Sequence, residues 1–295
     1  MDYDPVALLI ASGARPLIYA AYQTILDPED TVVFPVPSWN NNHYTHLSNG
    51  HPVYIETSAE DNFMPTAANL KPHISDASLI ALCSPLNPTG TVFKRETLSA
   101  ICDLVLAENK RRGPAKKPVY VLFDQIYWAL TYGNTEHCDP VSLRPEMKNY
   151  TIFIDGLSKA FAATGVRVGW GFGPKKVINK MKSVLSHIGA WAPKAEQIGA
   201  ASFLGNSVAV DTYLSEIKSK IELRLNGFYA AIIQLKNAGH PVDAIPPQAA
   251  MYLTVQFSLV GKKTADGKLL QTTKAVTKYL LDEANLAIVP FYAFG

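Results

Sequence analysis

Short apolar runs alternate along the chain with longer segments in which apolar residues recur every three or four positions. The runs at 7–10, 31–35, 52–55, 79–83, 119–123, 151–155 and 168–173 predict strands. Several are apolar throughout, which is how a strand covered on both faces reads. Helical spacing occupies 14–25, 94–109, 174–185 and a long stretch from 193 to 238. This alternation predicts an α/β fold of three layers, α/β/α, around a mostly parallel sheet. Gly205-Asn206 interrupts the last helical stretch and marks a candidate boundary, although a helical connection could equally run across it. A large domain over 1–205 and a smaller α+β domain over 206–295 follow. In the second, 251–257 alternates like a half-buried strand and 273–284 resumes helical spacing.

Composition narrows the function classes. With 295 residues, 48% of them hydrophobic, the chain can bury a core and a second, smaller unit. Its 27 basic and 25 acidic residues leave a net charge of +2, too little to steer nucleic acid or hold a membrane surface. The densest basic run, Lys110-Arg111-Arg112 with Lys116-Lys117, holds Gly113 and Pro114 but no aromatic residue, so it reads as a solvated loop. Cys83, Cys102 and Cys138 are odd in number and lack ligand spacing, which predicts neither a disulfide framework nor a metal site. A reducing cytoplasm suits them. No segment approaches the length of a membrane span, and no basic stretch precedes the short apolar segment near the N-terminus.

The densest chemistry follows the predicted strand 151–155. There Lys159 stands among small residues and Arg167 comes eight positions later. A lysine that is partly desolvated, or set among other cations, has an amine able to attack an aldehyde and form a Schiff base. A nearby guanidinium can grip a phosphate dianion with two hydrogen bonds. Alone, such a pair would more often be an ordinary surface pair. Upstream, the apolar run 120–123 ends in Asp124, with Tyr127 three residues on. A carboxylate at the carboxyl end of a parallel strand faces the crevice where such sheets bind ligands. Capping of the next turn is the plainer use of a lone Asp there. Ser84-Pro85-Leu86-Asn87-Pro88-Thr89-Gly90 follows the run 79–83 and places Asn87 in a turn at another strand end. Ser12-Gly13-Ala14-Arg15 joins the first strand to the first helix. Free N–H groups at a helix start make an anion cradle. Trp39 follows a proline turn, where it serves either as a packing residue or as a stacking face.

Taken together and in this order, these sites resemble the class I/II aminotransferase family of fold-type I pyridoxal-phosphate-dependent enzymes. Ile25-Leu26-Asp27-Pro28-Glu29-Asp30, Pro247-Gln248-Ala249-Ala250-Met251-Tyr252 and the closing 289–295 add to the likeness, which covers nearly the whole chain. The resemblance implies pyridoxal 5'-phosphate held by Lys159 as a Schiff base, Asp124 at the pyridine nitrogen, and Asn87 with Tyr127 at the phenolate oxygen. Arg167 and the backbone of Gly13, Ala14 and Arg15 would hold the phosphate, with Trp39 against the ring. It also implies transfer of an amino group from an α-amino acid to a 2-oxo acid by a cytoplasmic homodimer. The same cofactor serves lyases such as those of C–S β-elimination, and a weakly active piece could bind the cofactor alone. Three departures stand out. Gly156 occupies the place where the family often has a phosphate-binding hydroxyl. The family's long N-terminal segment is missing, and so is the stretch beyond 295 that carries its carboxylate-binding arginine. Both ends are therefore expected to be cut and the second domain incomplete.

Overall fold

Strand-forming, fully apolar runs can only lie where both faces are covered, and the middle of the sheet bears this out. In the computed structural model, which describes residues 3–294, the strands are β1 Leu8–Ala11, β2 Thr31–Val36, β3 His51–Glu56, β4 Ala77–Cys83, β5 Tyr120–Asp124, β6 Thr151–Gly156 and β7 Gly169–Phe172. They form one sheet in the order β1-β7-β6-β5-β4-β2-β3. Pairing is parallel from β3 through β6, whereas β7 runs antiparallel to both β6 and β1. Every residue of β4 and β6 is buried.

Two apolar layers sandwich this sheet, because successive side chains of a strand point to opposite faces. On one side Val121, Phe123 and Phe153 pack with Leu98, Ile101 and Val105 of helix α4, Arg95–Arg112. On the other, Leu122, Ile152 and Ile154 meet Leu17, Ile18 and Tyr22 of α1, Ala14–Ile25, and Val177, Met181 and Leu185 of a later helix, Lys175–Ile188. Short helices α2 (Asn41–Leu47), α3 (Ala67–Leu70) and α5 (Pro140–Leu143) fill the connections, so Lys175–Ile188 is α6. The three-layer α/β/α fold is the one the periodicity predicts.

The long helical stretch breaks at Gly205-Asn206 into α7, Lys194–Leu204, and α8, Ser207–Asn237, whose start the Asn206 side chain caps. Leu225 of α8 packs on Ile126, Tyr127 and Leu130. Beyond α8, β8 Val242–Ala244 pairs antiparallel with β9 Val255–Phe257, and α9, Thr273–Ala284, gathers Leu270, Val276 and Leu280 into a separate cluster. The alternation over 251–257 overstates the strand, since only its last three residues pair. The preceding stretch is held instead by loop contacts: Ala249 N–H donates to Gly90 O at 2.9 Å and Thr254 Oγ1 to Thr89 O at 3.0 Å. Met1, Asp2 and Gly295, the last residue of the closing motif, lie outside the described residues.

Candidate active site

The carboxyl ends of β4, β5 and β6 open on one cavity of about 620 Å³. Lys159, Asp124, Tyr127 and Asn87 line it from these three strand ends, and Arg167, Ala14, Arg15 and Trp39 close it from the α1 side. Gly13 does not line the cavity but lies under Arg167.

Asp124 ends β5 and accepts a hydrogen bond from the Ile126 amide at 3.1 Å. Burial raises its carboxyl to about 6, with the Ile126 N–H and the charge of Lys159 pulling the other way. Tyr127 is fully buried. Burial drives its phenol far above the ordinary value, so the hydroxyl keeps its proton, and it contacts the Tyr252 hydroxyl. Asn87 sits in the turn after β4, whose amide and carbonyl groups are tied back by Leu86 N to Thr91 O at 2.9 Å and Gly90 N to Leu86 O at 2.8 Å.

Arg167 adopts a left-handed backbone conformation, φ 58°, uncommon for a residue with a side chain. Its Nη1 donates to Thr164 O at 2.7 Å and its Nη2 to Ser12 O at 2.8 Å. Two carbonyls thus fix the guanidinium, and no carboxylate pairs with it among the described residues. Gly13, φ 95°, lies so close that a Cβ there would stand 2.2 Å from Arg167 Nη2. Gly13 is also the N-cap of α1 and has no side chain to satisfy the helix's free N–H groups. An unpaired guanidinium facing an uncapped helix start is a site for a dianion. A phosphate fits there, and Asp124 offers a charge partner for a protonated ring nitrogen at the other end, so these residues fit pyridoxal phosphate.

Residues 1–295 match the family model described as aminotransferase class I and II. The chain belongs to that family. It is 31% identical to the aspartate aminotransferase of Bacillus subtilis (strain 168) over 298 aligned residues, covering 100% of this chain and 70% of that protein. The aspartate aminotransferase of Bacillus sp. (strain YM-2) is 32% identical, with 100% of this chain and 71% of that protein covered. Among solved structures, the crystal structure of the aspartate aminotransferase from Rhizobium meliloti superposes with a TM-score of 0.89 at 28% identity, covering 100% of this chain and 71% of that one. The chain therefore spans about 70% of the length of these relatives. It is a pyridoxal-phosphate-dependent aminotransferase of fold type I.

The cavity is also lined by positions to which the sequence assigned no role. Tyr252, Ser158, Thr164 and Asn41 line the cavity. Asn41 accepts from the Tyr22 hydroxyl at 3.1 Å and donates to Ser38 Oγ at 3.1 Å, which holds it beside Trp39. Trp39 is 40% exposed, with its ring 6.0 Å from that of Phe294 and the Arg15 guanidinium 5.8 Å from its centre. Gly156, the departure from the family pattern, faces a closed strand pair: a Cβ there would lie 2.8 Å from Gly169 Cα and 2.9 Å from Val168 O. Ser158 and Thr164 line the cavity instead, with the Thr164 hydroxyl donating to Ser158 O at 3.0 Å. No group of side chains among the described residues forms a metal cage, and no described helix is long and apolar enough to cross a membrane.

Proposed function

We propose that this aminotransferase takes the amino group of an acidic α-amino acid and passes it to a 2-oxo acid, with Lys159 as the amine that binds the cofactor and moves the proton. The observation that carries the reading is the convergence of Lys159, Asp124, Tyr127, Asn87 and Arg167 on one cavity. Pyridoxal phosphate, when bound, supplies an electron-accepting ring that drains the electron pair released at the substrate's Cα.

The chain's residues then have separate tasks. Lys159 would hold the cofactor, and once a substrate amine took its place its free amine would carry the proton removed from Cα. Asp124 would keep a proton on the ring nitrogen. Asn87 and Tyr127 would donate to the phenolate oxygen. Arg167 and the backbone of Gly13, Ala14 and Arg15 would hold the phosphate, and Trp39 would shield the ring from water.

An acidic substrate is supported by charge. Arg15 lines the cavity as a cation with no hydrogen bond or ion pair among the described residues, leaving it free to meet a second carboxylate. The relatives above are named for aspartate. The proposed division of the chain is a cofactor-binding unit over 1–205 and a smaller unit over 206–295. A cytoplasmic homodimer completes the reading, supported by three free, buried cysteines and by exposed apolar side chains such as Leu47 and Tyr54.

Adding pyridoxal phosphate should give a visible absorbance band, and borohydride should fix the cofactor's mass on the peptide that contains Lys159. Loss of the label in Lys159→Ala with retained folding is the expected control. Labelling of another lysine in the unaltered protein, or no band at all, ends the assignment. Arg15→Ala should raise KM for aspartate about tenfold while leaving an aromatic amino acid unaffected, a difference of roughly 1.4 kcal/mol. Equal loss for both substrates removes Arg15 from the specificity reading.

A further inference from the structure

Asp155 stands next to last in β6, and the motif pattern gives it no task. It is 4% exposed. Its Oδ2 accepts from the Trp128 indole N–H at 2.8 Å and its Oδ1 from the Gly156 amide at 2.7 Å. The Trp128 donor belongs to the turn that follows Asp124 and carries Tyr127. Four residues further along its own chain comes Lys159. One carboxyl group therefore ties the segment bearing Asp124 and Tyr127 to the segment bearing the reactive lysine.

The placement relative to Asp124 follows from register. Asp124 lies opposite Ile154 on the neighbouring strand, and the Gln125 amide donates to Ile154 O at 3.0 Å. Leu122 and Ile154 belong to one apolar layer, Phe123 and Phe153 to the other. Alternation then sends the Asp124 and Asp155 side chains to opposite faces of the sheet's end, from adjacent strands. No cation pairs with Asp155 among the described residues. A buried carboxylate without a cation is costly, and a neutral amide, with a single acceptor oxygen, could accept only one of these two hydrogen bonds. The carboxylate supplies both acceptors and a charge.

We propose that Asp155 is a positioning residue that clamps the Asp124–Tyr127 turn against β6 and, when ionised, deepens the negative field Asp124 presents to the cofactor's ring nitrogen. This rests on the placement of Asp124 at that nitrogen.

Burial, with the Asp124 charge adding to it, raises the Asp155 carboxyl to about 7, while the Gly156 amide and the Trp128 indole act in the opposite direction. Asp155 thus titrates close to neutrality. The ionisable groups around the pair are Lys159 from the turn after β6, Cys83 from β4, Tyr44 from α2, Tyr127, and Tyr252 from the loop before β9. Burial raises the Cys83 thiol and the three phenols. The two carboxyls remain as the groups whose raised values fall near 6 and 7.

Asp155→Asn keeps the shape, removes the charge and gives up one of the two acceptors, so the pH dependence rather than the absolute stability carries the test. In the protein without cofactor, a carboxyl whose folded value is raised stabilises most at low pH and loses that contribution as pH rises through about 7. The variant lacks this loss, so its Tm should gain on wild type between about pH 4 and about pH 7. Trp128→Phe, which keeps the charge but removes one donor, should move the wild-type transition to higher pH. With pyridoxal phosphate bound, Asp155→Asn should lower the pH midpoint of the visible band by about one unit, a tenfold change in proton affinity. A purely structural clamp would weaken binding equally at every pH and leave the midpoint in place. An unchanged profile of the cofactor-free variant overturns the proposal. So does an altered profile with an unmoved midpoint, and Asp124→Asn then tells the two readings apart. If that variant shifts the midpoint, Asp124 keeps its place at the ring nitrogen; if it does not, both assignments fall.

Discussion

At the residue scale, Gly13 and Arg167 occupy the same few ångströms, and each explains the other's oddity. A side chain at Gly13 would collide with the guanidinium and would also have to adopt φ 95°. Gly13→Ala should therefore swing Arg167 away from the helix start and weaken binding of pyridoxal phosphate by about tenfold, roughly 1.4 kcal/mol, read by fluorescence titration. Binding equal to wild type would remove the guanidinium from the phosphate site. Asp124 permits a second prediction in which stability and function oppose each other. Its folded value, about 6, is above that of a free carboxyl, so its stabilising contribution is present at low pH and is lost as pH rises through about 6. Asp124→Asn should raise the Tm of the cofactor-free protein at pH values above about 7 and reduce transaminase turnover at least a hundredfold, on the order of a lost proton-handling group. A variant that is both less stable and active contradicts the assignment. Lys159, Asp124, Asn87 and Arg167 were legible in the sequence because each sits in a local pattern at a strand end. Tyr252, 125 positions from its partner Tyr127, stands in a stretch that adds to the family likeness but has no strand-end pattern to assign it to the site.

At the scale of elements, the cavity depends on helices and loops that bring distant segments together. The strands were readable because burial on both faces leaves an apolar signature, as in β4. Alternation over 251–254 predicts strand that does not form, because alternation cannot distinguish pairing with a strand from docking on a loop. The contacts of 249–254 to Gly90 and Thr89, and the Gln248 side chain accepting from Val92 N–H at 3.2 Å, are tertiary facts. These contacts also deliver Tyr252 to Tyr127. From the other side α8 supports the same turn through Leu225, which is packed on Ile126, Tyr127 and Leu130. Leu225→Ala should cost about 3 kcal/mol of stability by opening a cavity. Because the lost contacts lie directly under Tyr127, it should also broaden the pH titration of the bound cofactor's absorbance. A loss of stability with an unaltered titration would mean that the turn holds its shape without α8.

For the whole molecule, the apolar material is divided unequally. Two large clusters clasp the seven-stranded sheet, whereas Leu270, Val276 and Leu280 pack with Phe257, Leu259 and Tyr279 in a cluster of their own around α9. Units that share few buried side chains open independently, because local stability follows the burial each unit supplies for itself. The small cluster has three fully buried members against more than twenty in each large one, so it should be the first to open. Val276→Ala tests this division. It removes two methyl groups from a 4% exposed site, and the expected loss is about 1–2 kcal/mol confined to the small unit. Hydrogen exchange read peptide by peptide should accelerate across 255–286, with the amides of β4, β5 and β6 keeping wild-type rates. Cofactor affinity should stay unchanged, since none of the cluster's residues lines the cavity. Faster exchange spreading into β4–β6 would show instead that α9 and the sheet open as one cooperative body, and the proposed boundary near Gly205-Asn206 would then have no energetic meaning.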